Sequence, residues 1–247
     1  MPPATKADTA NAAQFQTDAD DVFGRIASRY DLLSDLFSLG IHRLWKRRVA
    51  TLVANESWNN LLDAASGTGD VVLQVASHQA LGPHQTIVAT DISPHMLAVA
   101  RRRASGIVAS LEFRVIDAHA MADVPDASVD LFTISLGLKI CQRTKVLHEA
   151  LRVLRPGGRF ISLEASNIPL RWLHRAYLAY MSLCMPIIGW IATGGDASAY
   201  KYLLKGIVDF PGAEALAEEI RAIGFQDVAF ERLSLGIVAI HSARKPG

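Results

Sequence analysis

The residues with the plainest chemical capacity lie in Leu61–Asp70, LLDAASGTGD. Leu61 and Leu62 are apolar, Asp63 is acidic, and Ala64, Ala65, Ser66, Gly67, Thr68 and Gly69 are small. A helix-forming segment, Val71–His78, follows. The order predicts a strand, a tight turn and a helix N-terminus. Glycines in such a turn adopt positive φ and let the backbone come close to a ligand. The unpaired N–H groups that open the helix donate to that ligand. The spacing does not supply G-x-G-x-x-G after the strand, which disfavours a nicotinamide dinucleotide. Downstream, Thr86–Asp91 reads TIVATD, an apolar run ending in a carboxylate. In a doubly wound α/β fold, an acid ending the second strand bonds the ribose hydroxyls of a nucleotide-like ligand. Ile92 and Met96 come next and are placed to flank an adenine. Taken alone, Asp91 reads equally well as the cap of the following helix. The glycine loop one strand earlier favours the ligand-binding role.

These residues need a sheet to hold them. From Leu61 onward, strand-like runs alternate with helix-like segments, the pattern of a parallel α/β sheet. The predicted strands are Leu61–Ala65, Thr86–Asp91, Leu111–Ile116, Val129–Ser135 and Arg159–Glu164. Helices are predicted over Val71–His78, Pro94–Arg103 and Lys145–Val153, with Arg155–Gly158 as a turn. Before the sheet, Phe23, Ile26, Tyr30 and Leu33 recur at helical spacing within Val22–Leu36, and Trp45–Val53 reads as a basic amphipathic helix. After Glu164, Ile168–Tyr202 is rich in Leu, Tyr, Trp and Met and reads as a helical insertion. Glu214–Ala222 is a helix ended by Gly224, and Asp227–Leu235 with Ile237–Ser242 reads as a terminal antiparallel pair. The expected organisation is a flexible tail over residues 1–21 and one domain over 22–247, with 168–202 as a helical lid.

Bulk properties narrow the class. Half of the 247 residues are hydrophobic, enough for a sizeable core. A net charge of +1 argues against a dedicated nucleic-acid binder. Cys141 and Cys184 give neither a disulfide framework nor metal-ligand spacing, so no metal is expected. The N-terminus lacks the apolar core of a signal peptide. The longest apolar stretch, Tyr177–Thr193, contains Pro186 and falls short of a membrane span. A cytoplasmic protein is expected, with a lipophilic or interfacial role for that stretch.

The glycine loop is similar to that of class I S-adenosylmethionine (SAM) methyltransferases, in which an acidic residue ends the first strand. From about Val22 to His241 the chain resembles the ubiquinone/menaquinone biosynthesis C-methyltransferase family. Phe23–Asp35, FGRIASRYDLLSD, is similar to that family's F-x-x-I-A-x-x-Y-D-x-x-N-D. Leu39–Arg47 (LGIHRLWKR), the loop LDAASGTGD, Arg152–Arg159 (RVLRPGGR) and Ala197–Leu203 (ASAYKYL) match further. The resemblance implies a doubly wound, Rossmann-like class I methyltransferase sheet, with N-terminal helices and a helical insertion before the last two strands. It implies SAM as cofactor. Contacts are expected from the loop (Asp63, Ser66, Gly67, Thr68, Gly69), from Asp91, Ile92 and Met96, from Asp117 and Ala118 near the adenine, and from Ser135. The chain departs from the family after the fourth strand. The family pattern is close to S-F-G-[LI]-R-N, whereas Ser135–Ile140 reads SLGLKI. In the family this arginine is proposed to help activate a water that removes the ring proton. Lysine keeps the charge but loses the planar fork, and isoleucine removes a donor and an acceptor.

Methyl transfer from a sulfonium is an in-line displacement in which the protein mainly positions and excludes water. A phenolic acceptor needs electron density, which a base or a cationic neighbour supplies. Tyr30, Asp31 and Lys139 are the catalytic candidates. The plainer alternatives are a core aromatic for Tyr30 and an exposed loop lysine for Lys139. His42 is expected to orient the GIHRLWKR loop. The leading expectation is C-methylation of a demethylated ubiquinol or menaquinol. The alternatives are a paralogous methyltransferase for a specialised metabolite or lipid headgroup, and a non-catalytic SAM-binding subunit of a quinone-biosynthesis complex. The expected partner is a lipophilic small-molecule acceptor, not nucleic acid. Peripheral membrane contact and a homodimer are further expectations.

Overall fold

Leu61 and Leu62 pack on opposite faces of one strand, and both are buried. A strand that buries both faces belongs inside a sheet covered on each side. The computed structural model describes residues 30–78, 81–107, 110–193 and 204–247. In it, β1 (Asn60–Ala64), β2 (Thr86–Asp91), β3 (Leu111–Val115), β4 (Val129–Ser135), β5 (Leu154–Ala165), β6 (Gln226–Leu233) and β7 (Val238–Arg244) form one seven-stranded sheet. The order is β3-β2-β1-β4-β5-β7-β6. Pairs among β1 to β5 are parallel, and β7 runs antiparallel to both β5 and β6. The expected doubly wound sheet and terminal antiparallel pair are both present.

The helices are α1 (Tyr30–Ser38), α2 (His42–Ala54), α3 (Asp70–His78), α4 (Pro94–Arg103), α5 (Arg143–Val153), α6 (Arg171–Thr193) and α7 (Ala213–Ile223). One apolar layer packs Val146, Leu147 and Ala150 of α5 with Leu216 and Ile220 of α7 against Leu62, Phe132 and Phe160. The other packs Val49 and Val53 of α2 with Val71, Val72 and Val75 of α3 against Leu61, Leu131 and Ile161. Ser93 accepts from the Met96 N–H and caps α4, with Pro94 at the first helical position. Gly224 ends α7 in the left-handed conformation, at φ 113°.

One expectation needs adjustment. Arg155–Gly158 does not separate a helix from a strand. The segment is an irregularity inside β5, with Leu154 paired to Val129 and Arg159 already paired to Leu131. Among its described residues the insertion after β5 is the expected helix, the 23-residue α6, which packs against α1. The tail 1–21, the residues 22–29 of the first expected helix, and 194–203 of the insertion lie outside the described residues.

The loops leaving β1 and β4 meet closely. A Cβ built on Gly137 would lie 2.8 Å from the Ala65 Cβ and 3.2 Å from Ile134. Neither neighbour is the far end of a flexible chain. Gly137→Ala should therefore lower the unfolding free energy by about 1–3 kcal/mol through overpacking. Denaturant titration checks this, and an unchanged midpoint would mean that the two loops yield freely.

Candidate functional site

The carboxyl ends of β1, β2 and β4 adjoin at the point where the strand order reverses, the usual ligand crevice of such sheets. Register sets Asp63 of β1 beside Thr133 of β4. The Thr133 hydroxyl donates to Asp63 Oδ1 and the Ser66 hydroxyl to Oδ2, both at 2.6 Å. Burial pushes the Asp63 carboxyl up to about 6 despite these two donors. Asp91 ends β2, where its Oδ2 accepts from the Gly67 N–H at 2.8 Å and its Oδ1 from the Ser93 N–H at 2.9 Å. Ser93, not Asp91, is therefore the cap of α4. Gly69 has φ 83°, and a Cβ there would stand 3.1 Å from Ala100. Ala65 and Leu136, which follow β1 and β4, hold positive φ without being glycines. Such strain collects at functional sites.

The other expected residues divide between this crevice and its surroundings. Thr68 is buried, and its hydroxyl donates to Asp31 Oδ1 at 2.6 Å. Asp31 also pairs with Arg103 at 3.1 Å. Arg103 reaches Asp70 at 2.6 Å, and Lys46 reaches the same carboxylate at 2.5 Å. Burial alone would raise the Asp70 pKa, but Lys46 and Arg103 outweigh it and hold it well below the usual carboxylate range. Asp31 is thus engaged with the loop and α4. Tyr30 opens α1, and its side chain lies outside the described residues. Met96 and Ala118 are buried and Ile92 is half-buried. Asp117 Oδ1 accepts from the His119 N–H and from its Nδ1 at 2.6 Å, while His119 Nε2 accepts from the Gln142 N–H. The Ser135 Oγ is buried without a hydrogen-bond partner among the described residues.

Beside the crevice, past the ends of β4 and β5, lies a mainly apolar cavity of about 330 Å³. Its walls are Phe37 of α1, His42 and Trp45 of α2, Leu136 and Lys139 after β4, Tyr177, Met181 and Met185 of α6, and Val238 of β7. The size suits a small organic ligand. Lys139 donates from Nζ to the Leu136 carbonyl. Burial pulls its pKa down, and the Glu164 carboxylate works against that. Ile140 sits beside Gly206. The sequence reading passed over Glu164. It ends the apolar run of β5, is fully buried, and accepts the Leu138 N–H at 2.6 Å. Its Oε2 has no partner among the described residues. Burial pushes it up to about 7, with Lys139 and backbone N–H groups opposing. A carboxylate inside FISLEA was the available signal. Lys46, Asp70 and Arg103 were also missed, because their pairing joins three helices.

The pattern of the ubiE/COQ5 methyltransferase family matches residues 10–245. The chain belongs to that family. A ubiquinone/menaquinone biosynthesis C-methyltransferase of Nitrobacter hamburgensis is 40% identical over 92% of this chain and 90% of its own length. Its counterpart in Roseobacter denitrificans is 36% identical over 91% of this chain and 89% of its own. Among solved structures, a SAM-dependent methyltransferase of Thermotoga maritima superposes with TM-score 0.66, covering 92% of this chain and 99% of that one at 16% identity. At that identity the likeness concerns the fold.

In this methyltransferase, Glu164 gives the folded state a pH signature. A carboxylate raised from 4.5 to about 7 binds more protons folded than unfolded within that window. Its burial therefore destabilises the protein progressively as pH rises from about 4.5 to 7. Glu164→Gln keeps the acceptor for the Leu138 N–H and removes the ionisation. Relative to wild type it should gain stability at pH 8, by up to about 3 kcal/mol, and little at pH 4.5. Unfolding free energies at the two pH values check this, and an equal effect at both would exclude ionisation as the cause.

Proposed function

We propose that this chain transfers a methyl group from SAM to a ring carbon of a lipophilic quinol, a demethylated ubiquinol or menaquinol. The observation that carries the reading is the apolar cavity of about 330 Å³ that adjoins the glycine-loop crevice through Leu136 and Lys139. The names of the curated relatives, similar over nine-tenths of the chain, support the acceptor class.

The crevice suits SAM. The buried Ser135 Oγ has an unused hydrogen-bonding capacity. Gly69 leaves the loop backbone open where a Cβ would press on Ala100. Asp91 stands at the ribose position with its carboxylate oriented by two backbone N–H groups. Asp63, Ser66, Gly67 and Thr68 would form the floor of its site, and Ile92, Met96, Asp117 and Ala118 would hold its adenine. Bound SAM supplies an electrophilic methyl on a sulfonium sulfur. The protein's part is to place the acceptor ring in line with that methyl, keep water out and manage the acceptor's protons. Lys139 is placed to stabilise a phenolate, and Asp31 contributes by holding α1 to the loop.

In this reading α6 is a lid. Tyr177, Met181 and Met185 give it an apolar inner face against the cavity. Among the described residues no helix is long and apolar enough to cross a membrane. Leu39 and Leu235 are 81% and 75% exposed near the cavity and support peripheral contact with a membrane that delivers the acceptor. Lys139 and Ile140, in place of the family's arginine and asparagine, favour one second reading. In it the chain is a paralogue acting on a different lipophilic acceptor.

SAM should bind with micromolar affinity, on the order of 8 kcal/mol. Asp91→Ala should weaken it at least tenfold, since the ribose loses a charged acceptor. Calorimetry on both proteins checks this, and absent binding to the wild type would overturn the reading. The two acceptor readings separate on Lys139→Arg combined with Ile140→Asn. If the acceptor has changed, the double variant should gain about one to two decades in rate on a demethylated quinol. Full complementation by the wild type of a quinone-methylation-deficient strain, with no gain from the variant, would remove the paralogue reading.

A further inference from the structure

The GIHRLWKR segment is the most distinctive stretch of the chain, and the methyl-transfer reading leaves its histidine without a task. His42 is the first residue of α2 and is 4% exposed. His42 lines the apolar cavity together with Lys139, Tyr177 and Met181, and also borders a more polar pocket that contains Asp31, Asp70 and Arg103. Its Nδ1 lies 2.8 Å from the Ser38 hydroxyl. That hydroxyl donates to the Ser34 carbonyl at 2.6 Å. A hydroxyl has one hydrogen, so toward His42 it acts as acceptor. The Ser38 oxygen also takes the His42 backbone N–H at 3.3 Å, and with its own hydrogen on the Ser34 carbonyl it favours the neutral tautomer that carries its proton on Nδ1. Nε2 keeps its lone pair and has no hydrogen-bond partner among the described residues. A buried histidine in the wall of an apolar cavity, with Nε2 left as the acceptor in the favoured tautomer, is suited to act as a base.

We propose that His42 is the proton acceptor for the ring hydroxyl of the methyl acceptor, with Nε2 as the accepting atom. The proposal rests on the quinol reading and adds a catalytic residue to it. As the ring carbon attacks the sulfonium methyl, the hydroxyl proton passes to Nε2. The C–S bond breaks with its electron pair left on sulfur. The ring then holds a carbonyl and a tetrahedral carbon bearing the new methyl and a hydrogen. That hydrogen leaves to water as a proton, and its bonding electrons restore the aromatic ring. The carbonyl oxygen takes the proton back from the His42 imidazolium. One proton is released per turnover, and no oxidant or reductant is needed.

The surroundings favour the neutral, accepting form. Burial lowers the His42 pKa from its ordinary value, and the ammonium of Lys46 and the guanidinium of Arg43 push the same way. Asp70 of α3 and Asp35 of α1 oppose them. Asp35, 3.8 Å from Nδ1, is itself bound by Arg43 at 2.6 Å. Lys139 is a further charged group in the cavity wall. The net direction is downward, so His42 is neutral at pH 7 and the rate should climb to a plateau as pH rises through a value below 6.5.

The test has a spectroscopic arm and a kinetic arm. Nitrogen-15 imidazole spectra of the protein without ligands should show His42 protonated on Nδ1 at neutral pH, titrating below 6.5. A tautomer protonated on Nε2 would overturn the proposal. His42→Asn keeps a donor toward Ser38 and removes the base. It should lower kcat on a demethylated quinol by about 10²–10⁴-fold and abolish the acid limb, with SAM affinity unchanged. His42→Ala should recover activity in added imidazole, following the pKa of substituted imidazoles, and it carries the kinetic arm if the Asn variant does not fold. A folded His42→Asn that keeps its rate, or a slow one that keeps the acid limb without imidazole rescue of His42→Ala, would overturn the role. A wild type that binds SAM but methylates no demethylated quinol would overturn the quinol reading instead, and this proposal with it.

Discussion

One carboxylate, Asp70, ties the N-terminal helices to the sheet. It opens α3 immediately after the glycine loop and accepts from Lys46 of α2 and Arg103 of α4. Arg103 passes the connection to Asp31 of α1, which takes the Thr68 hydroxyl of the same loop. The cluster holds two cations against two carboxylates with little exposure at Asp70. Breaking one partner of such a set leaves an unpaired buried charge, the costly case. The wall that α1 and α2 give to the apolar cavity hangs on this attachment. So does the position of His42, four residues before Lys46. The glycine loop and the apolar cavity are therefore parts of one electrostatically fastened unit.

The carboxyl edge of the sheet carries the molecule's least comfortable groups. Asp63 and Glu164 end β1 and β5 as buried acids, raised to about 6 and about 7. Ala65 and Leu136, just past the ends of β1 and β4, hold positive φ. The opposite edge has ordinary exposed ion pairs such as Arg155 with Asp130. Folding stability is given up where the strands end in chemistry, and the two apolar layers beneath offset it.

Much of this was legible in the sequence because it is local. Apart from β5, which begins five residues before its expected start, the strands run within a residue or two of their expected bounds, since buried parallel strands read as short apolar runs. The shared position of Asp63, Ser66 and Asp91 at the carboxyl ends of β1 and β2 was legible because a glycine loop and a strand-ending acid each lie on contiguous residues. The Arg155–Gly158 segment misled because Pro and Gly mark both a turn and an irregular strand, and only the pairing of Leu154 and Arg159 with β4 tells them apart. The cavity was legible only in part. The apolar stretch from Tyr177 was visible, but its facing wall of His42 and Trp45 comes from a helix more than a hundred residues away. Trp45 is fixed by Ser234, 189 residues distant, and no window of sequence contains that hydrogen bond. Glu164 stayed hidden because a strand-end acid reads as solvated until its burial is known.

The same geometry bears on the altered SLGLKI turn. Lys139 spends a proton on the Leu136 carbonyl inside its own turn, and Glu164 fixes that turn through the Leu138 N–H. A lysine so held is a local positive charge facing the cavity. It lacks the fork with which an arginine presents two N–H groups to a water or an oxyanion. Ile140 offers no polar atom beyond its backbone. The turn thus supplies electrostatic stabilisation and little proton handling. Across the cavity, the role proposed for His42 is complementary, with Nδ1 bonded to Ser38 and Nε2 as the accepting nitrogen. On the proposed reading the two divide the task that acceptor activation sets, a cation for the developing phenolate and a base for its proton. That division would let the lysine and isoleucine stand in a working enzyme, because the group they fail to supply comes from α2.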